Sequence, residues 1–193
     1  AETVGLIRRV ERALRAAGLR DFLFVKAFRH YPDMAGDLDL VSLDSAAAVE
    51  RALTAELGVQ PERGLVRRLG GSSSYRAAAG RTNLDVFHGR LGYLGEHTGF
   101  PAALLRQRAS IAVAGGTFET ASVEDQLVLQ GIQRVYGQRG FKLADVVFTV
   151  RVLRDAGVDW ARVLRTARAT GTEPGLSCYL GFVDRVHRRV FGA

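Results

Sequence analysis

The sequence predicts an α/β fold followed by an all-helical half: a small mixed β-sheet flanked by helices, then a helical lobe. Three observations carry that reading. Short β-type runs alternate with amphipathic helical segments over the first 121 residues, helix-length segments follow one another from Ser122 onward, and no linker or low-complexity stretch separates the two regions. The expected division is therefore residues 1–121 for the α/β core and residues 122–193 for a helical lobe packed on it.

Each element has its own signal. Val4, Ile7, Val10, Leu14 and Ala17 recur at helical spacing, with Arg8, Arg9, Arg12 and Arg15 between them, and Gly18 stops the helix. Phe22 to Lys26 is a short β-type run, and Phe28 to Gly36 a loop containing Tyr31-Pro32-Asp33. Asp37 to Leu43 alternates as a strand, so Asp37 and Asp39 share one face while Leu38 and Leu40 share the other. Asp44-Ser45 caps a helix to about Leu57. Residues 64–88 read as antiparallel strands at Leu65 to Leu69, Tyr75 to Ala78 and Asn83 to Phe87, with turns at Gly70 to Ser73 and Ala79-Gly80-Arg81. After a glycine-rich connection, Ser122-Val123-Glu124-Asp125 has capping chemistry and opens a helix to Tyr136. Residues 141–156, 159–170 and 174–191 supply three further helices, broken at Gly157 and around Gly171 to Pro174.

Composition narrows the function classes. Hydrophobic residues at 47% and charged residues at 24% exclude a disordered chain. No apolar stretch reaches the roughly 18–20 residues that span a bilayer, the first 18 residues carry charge throughout, and Cys178 is alone. A cytoplasmic protein without a disulfide or membrane partner is expected. The net charge is +7, and of 27 basic residues only Lys26 and Lys142 are lysines. Such a field attracts phosphate-rich partners, although arginine usage can also reflect base composition alone.

The strongest chemical signal is Gly36-Asp37-Leu38-Asp39-Leu40. Two carboxylates projecting from one face of a strand repel each other unless a cation neutralises them. Hard divalent ions such as Mg²⁺ prefer carboxylate oxygens and substrate phosphates. The competing reading is an edge strand showing two solvated acids. A later strand supplies a third acid with apolar flanks, Leu84-Asp85-Val86-Phe87, and three acids from two strands can hold the ions of a two-metal site. His88 follows closely enough to line such a site. Gly70-Gly71-Ser72-Ser73-Ser74 lacks the Lys-Ser/Thr ending of a phosphate-binding P-loop.

The stretch from Lys26 through Tyr31-Pro32 to Asp37-Leu38-Asp39-Leu40-Val41 resembles the motif of bacterial and archaeal nucleotidyltransferases of the polymerase-β-like superfamily. Asn83-Leu84-Asp85-Val86-Phe87-His88 resembles their third-aspartate strand. Glu124 to Leu127, Arg139 to Asp145 and Val158 to Val163 are similar to their helical segment. The resemblance implies metal-dependent transfer of a nucleotide from a nucleoside triphosphate to an acceptor hydroxyl. Asp37, Asp39 and Asp85 would then be the catalytic ligands of Mg²⁺ or Mn²⁺. The chain departs from the family after the first strand, where the usual Gly-Ser reads Lys26-Ala27-Phe28. Lys26 or Arg29 would then supply the charge for the triphosphate, and Ser42 or Ser72 to Ser74 the hydroxyl. Lys142 would reach back from the helical lobe, or form an i,i+3 pair with Asp145. The charge favours RNA as acceptor, such as the 3′ end of tRNA in toxin-type members that pair with an antitoxin protein. A small molecule, as in antibiotic-modifying members, is the alternative; a non-catalytic nucleotide-binding module is another. Arg67, Arg68, Arg76, Arg81, Arg134, Arg139 and Lys142 are the expected RNA path.

Overall fold

Alternating side chains on the sheet strands sort the apolar residues onto two faces, and helices cover both. This is seen in a computed structural model, which describes residues 2–28, 37–58, 60–62, 64–76, 82–137, 140–155 and 157–192. Arg29, His30, Tyr31-Pro32, Ala79-Gly80-Arg81 and Arg139 lie outside the described residues.

The first helix, α1 (Glu2–Ala16), buries Val4, Ile7, Val10 and Leu14, the face set by the sequence spacing. Strands β1 (Phe22–Val25) and β2 (Asp37–Ser42) follow, then α2 (Ala46–Leu57), which ends at Gly58 with a left-handed φ of 70°. Strands β3 (Ser72–Arg76) and β4 (Asn83–His88) pair antiparallel, as expected. The segment expected as a strand at Leu65 to Leu69 is instead a short helix, α3 (Leu65–Gly70). Its Leu65, Val66 and Leu69 are exposed, so no sheet face claims them. Gly71, at φ 66°, ends this helix, and Ser72-Ser73 belongs to β3 rather than to a turn.

The expected connection before Ser122 is also structured. It contains α4 (Gly99–Arg106) and a hairpin of β5 (Arg108–Val113) and β6 (Gly116–Ala121). The sheet order is β3-β4-β2-β1-β6-β5. It is mixed: β2 runs parallel to β4 and β1 parallel to β6, while the other neighbours are antiparallel. Then come α5 (Val123–Gly131), a π-helical continuation at Ile132–Gly137, α6 (Leu143–Asp155), α7 (Trp160–Ala169) and α8 (Glu173–Phe191). The Ser122 side chain accepts from the Asp125 backbone N–H, capping α5.

One face of the sheet carries Phe22, Phe24, Leu38, Leu40, Leu84 and Val86 against α1 and α2. The other carries Leu23, Val25 and Val41, packed with Phe100 and Leu104 of α4, Leu127 and Val128 of α5, and Val163 of α7. Helices from the second half of the chain thus share a buried cluster with the sheet. Among the described residues, no helix is long and apolar enough to cross a membrane.

Candidate active site

The register of four strands builds the site. Asp39 on β2 lies opposite Val25 on β1 and Asp85 on β4, and Asp85 in turn lies opposite Ser74 on β3. Paired residues in register project to the same side of a sheet, so Val25, Asp39, Asp85 and Ser74 form one transverse row. One step along β2, Asp37 pairs with Asn83, and Asn83 with Arg76. Asp37, Asp39 and Asp85 therefore stand on one face, where β1 ends and β2 and β4 begin. Farther along, the same face becomes apolar at Val41 and Phe87, packing into the α4/α5/α7 cluster. The carboxylates occupy the rim of a core rather than an open sheet.

Each acid has its own donor. The Lys26 ammonium is ion-paired with Asp39 Oδ2, and Asp39 is 7% exposed. Ser74 Oγ donates to Asp85 Oδ1 at 2.5 Å, and Arg67 of α3 donates to the same oxygen at 3.1 Å. Asn83 Nδ2 donates to Asp37 Oδ1 at 3.1 Å. Lys26 and Arg67 bring positive charge to Asp39 and Asp85, whereas the Asn83 amide at Asp37 is neutral. Among the described residues, no three acid, histidine or cysteine side chains gather tightly enough to enclose a metal ion.

Lys26 has φ 62°, the left-handed backbone that glycine takes without steric cost. Lys26 thus combines a glycine-like backbone with an ammonium. Ala27 follows it, with no hydroxyl to offer.

The other expected residues divide. Ser74 reaches Asp85, whereas Ser42 does not join the carboxylates. Ser42 is fully buried on the opposite face of β2, where its Oγ donates to the Asp21 carbonyl and accepts from the Asp44 N–H. His88 is likewise on the opposite face: it sits one register step beyond Phe87, near Ser73 Oγ at 3.0 Å and Glu50. Lys142 is exposed just before α6 and makes no ion pair with Asp37, Asp39 or Asp85 among the described residues. Its expected i,i+3 partner Asp145 is buried against Arg134 and Gln130 instead. Arg29 lies outside the described residues.

Asn83 gained no site role from the sequence, and Arg67 only a place on the RNA path rather than a bond to Asp85. The signal for Asn83 was present: Asn83-Leu84-Asp85 repeats the spacing of Asp37-Leu38-Asp39, and the two triplets pair residue for residue. Arg67 was hidden by the strand assignment of its segment.

No protein-family model matches the chain, and no curated protein matches it in sequence. Solved structures do. The chain is similar to the crystal structure of ANT(2'')-Ia in complex with adenylyl-2''-tobramycin, with a TM-score of 0.61 and 12% identity, over 90% of this chain and 99% of that one. The fold is a nucleotidyltransferase fold. Weaker likenesses, each with a TM-score of 0.49, are to the solution structure of the antibiotic-resistance factor ANT(2'')-Ia, at 13% identity over all of both chains, and to an antigenic nucleotidyltransferase-like protein from Paracoccidioides brasiliensis, at 15% identity over 93% of this chain and 92% of that one.

Proposed function

We propose that this chain transfers a nucleotide from a nucleoside triphosphate to an acceptor hydroxyl, with release of pyrophosphate. The observation that carries the reading is the placement of Asp37, Asp39 and Asp85 on one face of two parallel strands, with Asp39 and Asp85 in register. Three carboxylates on adjacent positions repel one another, and Lys26 and Arg67 offset two of the three charges, which leaves negative charge for a cation to take up.

The donor set fits a hard divalent cation. All three prospective ligands are carboxylates. Mg²⁺ keeps waters and substrate oxygens in its shell, so an open row of acids suits it better than a closed cage. Asp37, Asp39 and Asp85 would hold Mg²⁺ or Mn²⁺, which when bound neutralises developing phosphate charge and acidifies the attacking hydroxyl. The protein's own side chains do the positioning. Ser74 and Arg67 fix the Asp85 carboxylate, and Asn83 fixes that of Asp37. Rigid placement of this kind supplies orientation in advance of the reaction.

For the acceptor, we place a small hydroxyl-bearing molecule first. The fold neighbour named above was solved with an adenylylated tobramycin. The net charge is +7, but the three carboxylates on the site face set the local field there. RNA, and with it a toxin role beside an antitoxin, is the second reading and rests on the same charge. Its support is thinner than the arginine count suggests. Arg134 is buried with Asp145, Arg67 is bonded to Asp85, and Arg76 is paired with Glu62. Arg68 and Lys142 are the exposed members of that path with no ion pair among the described residues.

The test supplies each α-labelled nucleoside triphosphate with Mg²⁺, alongside total RNA in one arm and mixed small hydroxyl compounds in another. Label on small products, lost with Asp39→Asn, is the expected result. Label on RNA would move RNA to first place. Label on neither, across all four nucleotides, would count against transfer itself.

A further inference from the structure

We propose that Lys26 is the resident counter-ion of Asp39 and hands that carboxylate over when a nucleotide arrives with its divalent cation, its ammonium then pairing with the triphosphate. This rests on the nucleotidyl-transfer reading.

Three features of Lys26 point to the exchange. Its ammonium is paired with Asp39 Oδ2, and the two side chains are only 19% and 9% exposed. An ammonium on that oxygen and a divalent ion bound to it exclude each other, both by space and by charge repulsion. Second, the backbone at Lys26 is left-handed, with φ 62°. Lysine takes that conformation at a cost glycine avoids, so the side chain rather than the backbone explains the residue. Third, Ala27 beside it carries no hydroxyl, so of this pair Lys26 alone brings a side-chain donor. The long flexible stem of lysine carries three rotatable donors, so its charge can leave one oxygen for another without moving the strand.

Two consequences follow. A divalent ion offered alone has to displace Lys26 into solvent, so it binds weakly. A triphosphate offers the displaced ammonium a new partner, so metal and nucleotide assist each other's binding, as linkage requires. The site would accept its cation chiefly together with nucleotide.

The experiment titrates the full chain with Mn²⁺ alone, and separately with α,β-methylene-ATP in saturating Mg²⁺, by calorimetry. Wild type is compared with Lys26→Met, with Lys26→Gly, which also relieves the left-handed backbone, and with Asp39→Asn. Circular dichroism checks that each is folded. Removing the ammonium should tighten Mn²⁺ binding about tenfold and weaken nucleotide binding about tenfold, roughly one pKa-unit equivalent of charge interaction each way. The opposite signs separate this role from a structural one, which would weaken both. Unchanged or weaker Mn²⁺ binding in both Lys26 variants, with Mn²⁺ binding lost in Asp39→Asn, overturns the exchange but leaves the transfer reading standing. Tighter Mn²⁺ binding with unchanged nucleotide affinity also overturns it. If wild type and variants bind neither ligand, both this inference and the transfer reading fall.

Discussion

Replacing Asp39 by Asn tests whether the acids strain the free protein or stabilise it. Viewed as an isolated pair on one strand, Asp37 and Asp39 repel, and neutralising one would raise stability without metal. The structure reverses that sign. Asp39 is the partner of Lys26, and Asp39→Asn would leave an ammonium four-fifths buried with no counter-ion. Breaking a fully buried pair costs about 3–5 kcal/mol. Lys26 keeps some contact with water, and loss of repulsion from Asp85 returns part, so about 2 kcal/mol is expected here. For a chain of this length that lowers Tm by about 4–8 °C. The assay is thermal unfolding in EDTA of wild type, Asp39→Asn, Lys26→Met and the double variant. The double variant should be less unstable than the sum of the singles, with a coupling of about 1–2 kcal/mol. An unchanged or higher Tm for Asp39→Asn would refute the reasoning.

Other expectations concern the frame that holds the site. Arg134→Leu should cost about 3–5 kcal/mol in urea unfolding, because Asp145, 6% exposed, loses its guanidinium partner. Gly131→Ala should destabilise by about 1–3 kcal/mol despite alanine's better helix propensity. Its Cβ would sit 2.7 Å from the Leu176 Cα of α8, a backbone atom that cannot step aside; an unchanged urea midpoint would contradict this. Burial holds the His97 imidazole below its ordinary pKa, with the nearby Glu96 partly opposing. The neutral ring is thus favoured in the folded state. Its contribution is complete above the unfolded value of about 6.5 and is lost as pH falls through the lower folded pKa. Urea midpoints should drop on moving from neutral to mildly acidic pH, by less in His97→Gln than in wild type.

The legible parts of this chain were those with strong periodicity. The amphipathic α1, the Asp37 strand, the β3/β4 pairing and the helices from Ser122 onward stand close to their expected positions. What escaped had conflicting local signals. Leu65, Val66 and Leu69 fit a strand or one helical turn equally, and only Gly71 in the left-handed region ends the matter as a helix. The β5–β6 hairpin turns at Ala114-Gly115, with φ 49° and 72°. Both central residues of such a turn need positive φ, and alanine there conceals a signal that asparagine would have displayed. In the site, strand alternation placed Asp37 and Asp39 together, and the parallel register of β2 and β4 adds Asp85. The donors that hold them depended on long-range packing. Arg67 reaches Asp85 from a helix unseen in the sequence, and Ser42 was a poor candidate because its parity puts it with Leu38 and Leu40.

The central claim is that Asp37, Asp39 and Asp85 form one cation and triphosphate site. The most direct measurement is a crystal structure of the chain grown with Mn²⁺ and α,β-methylene-ATP, recorded at the manganese absorption edge. An anomalous peak among these three carboxylates, with the α-phosphate against it and Lys26 turned from Asp39 toward the triphosphate, is the predicted result. Nucleotide bound elsewhere on the protein, with Lys26 still on Asp39 and no manganese at the three acids, would contradict it.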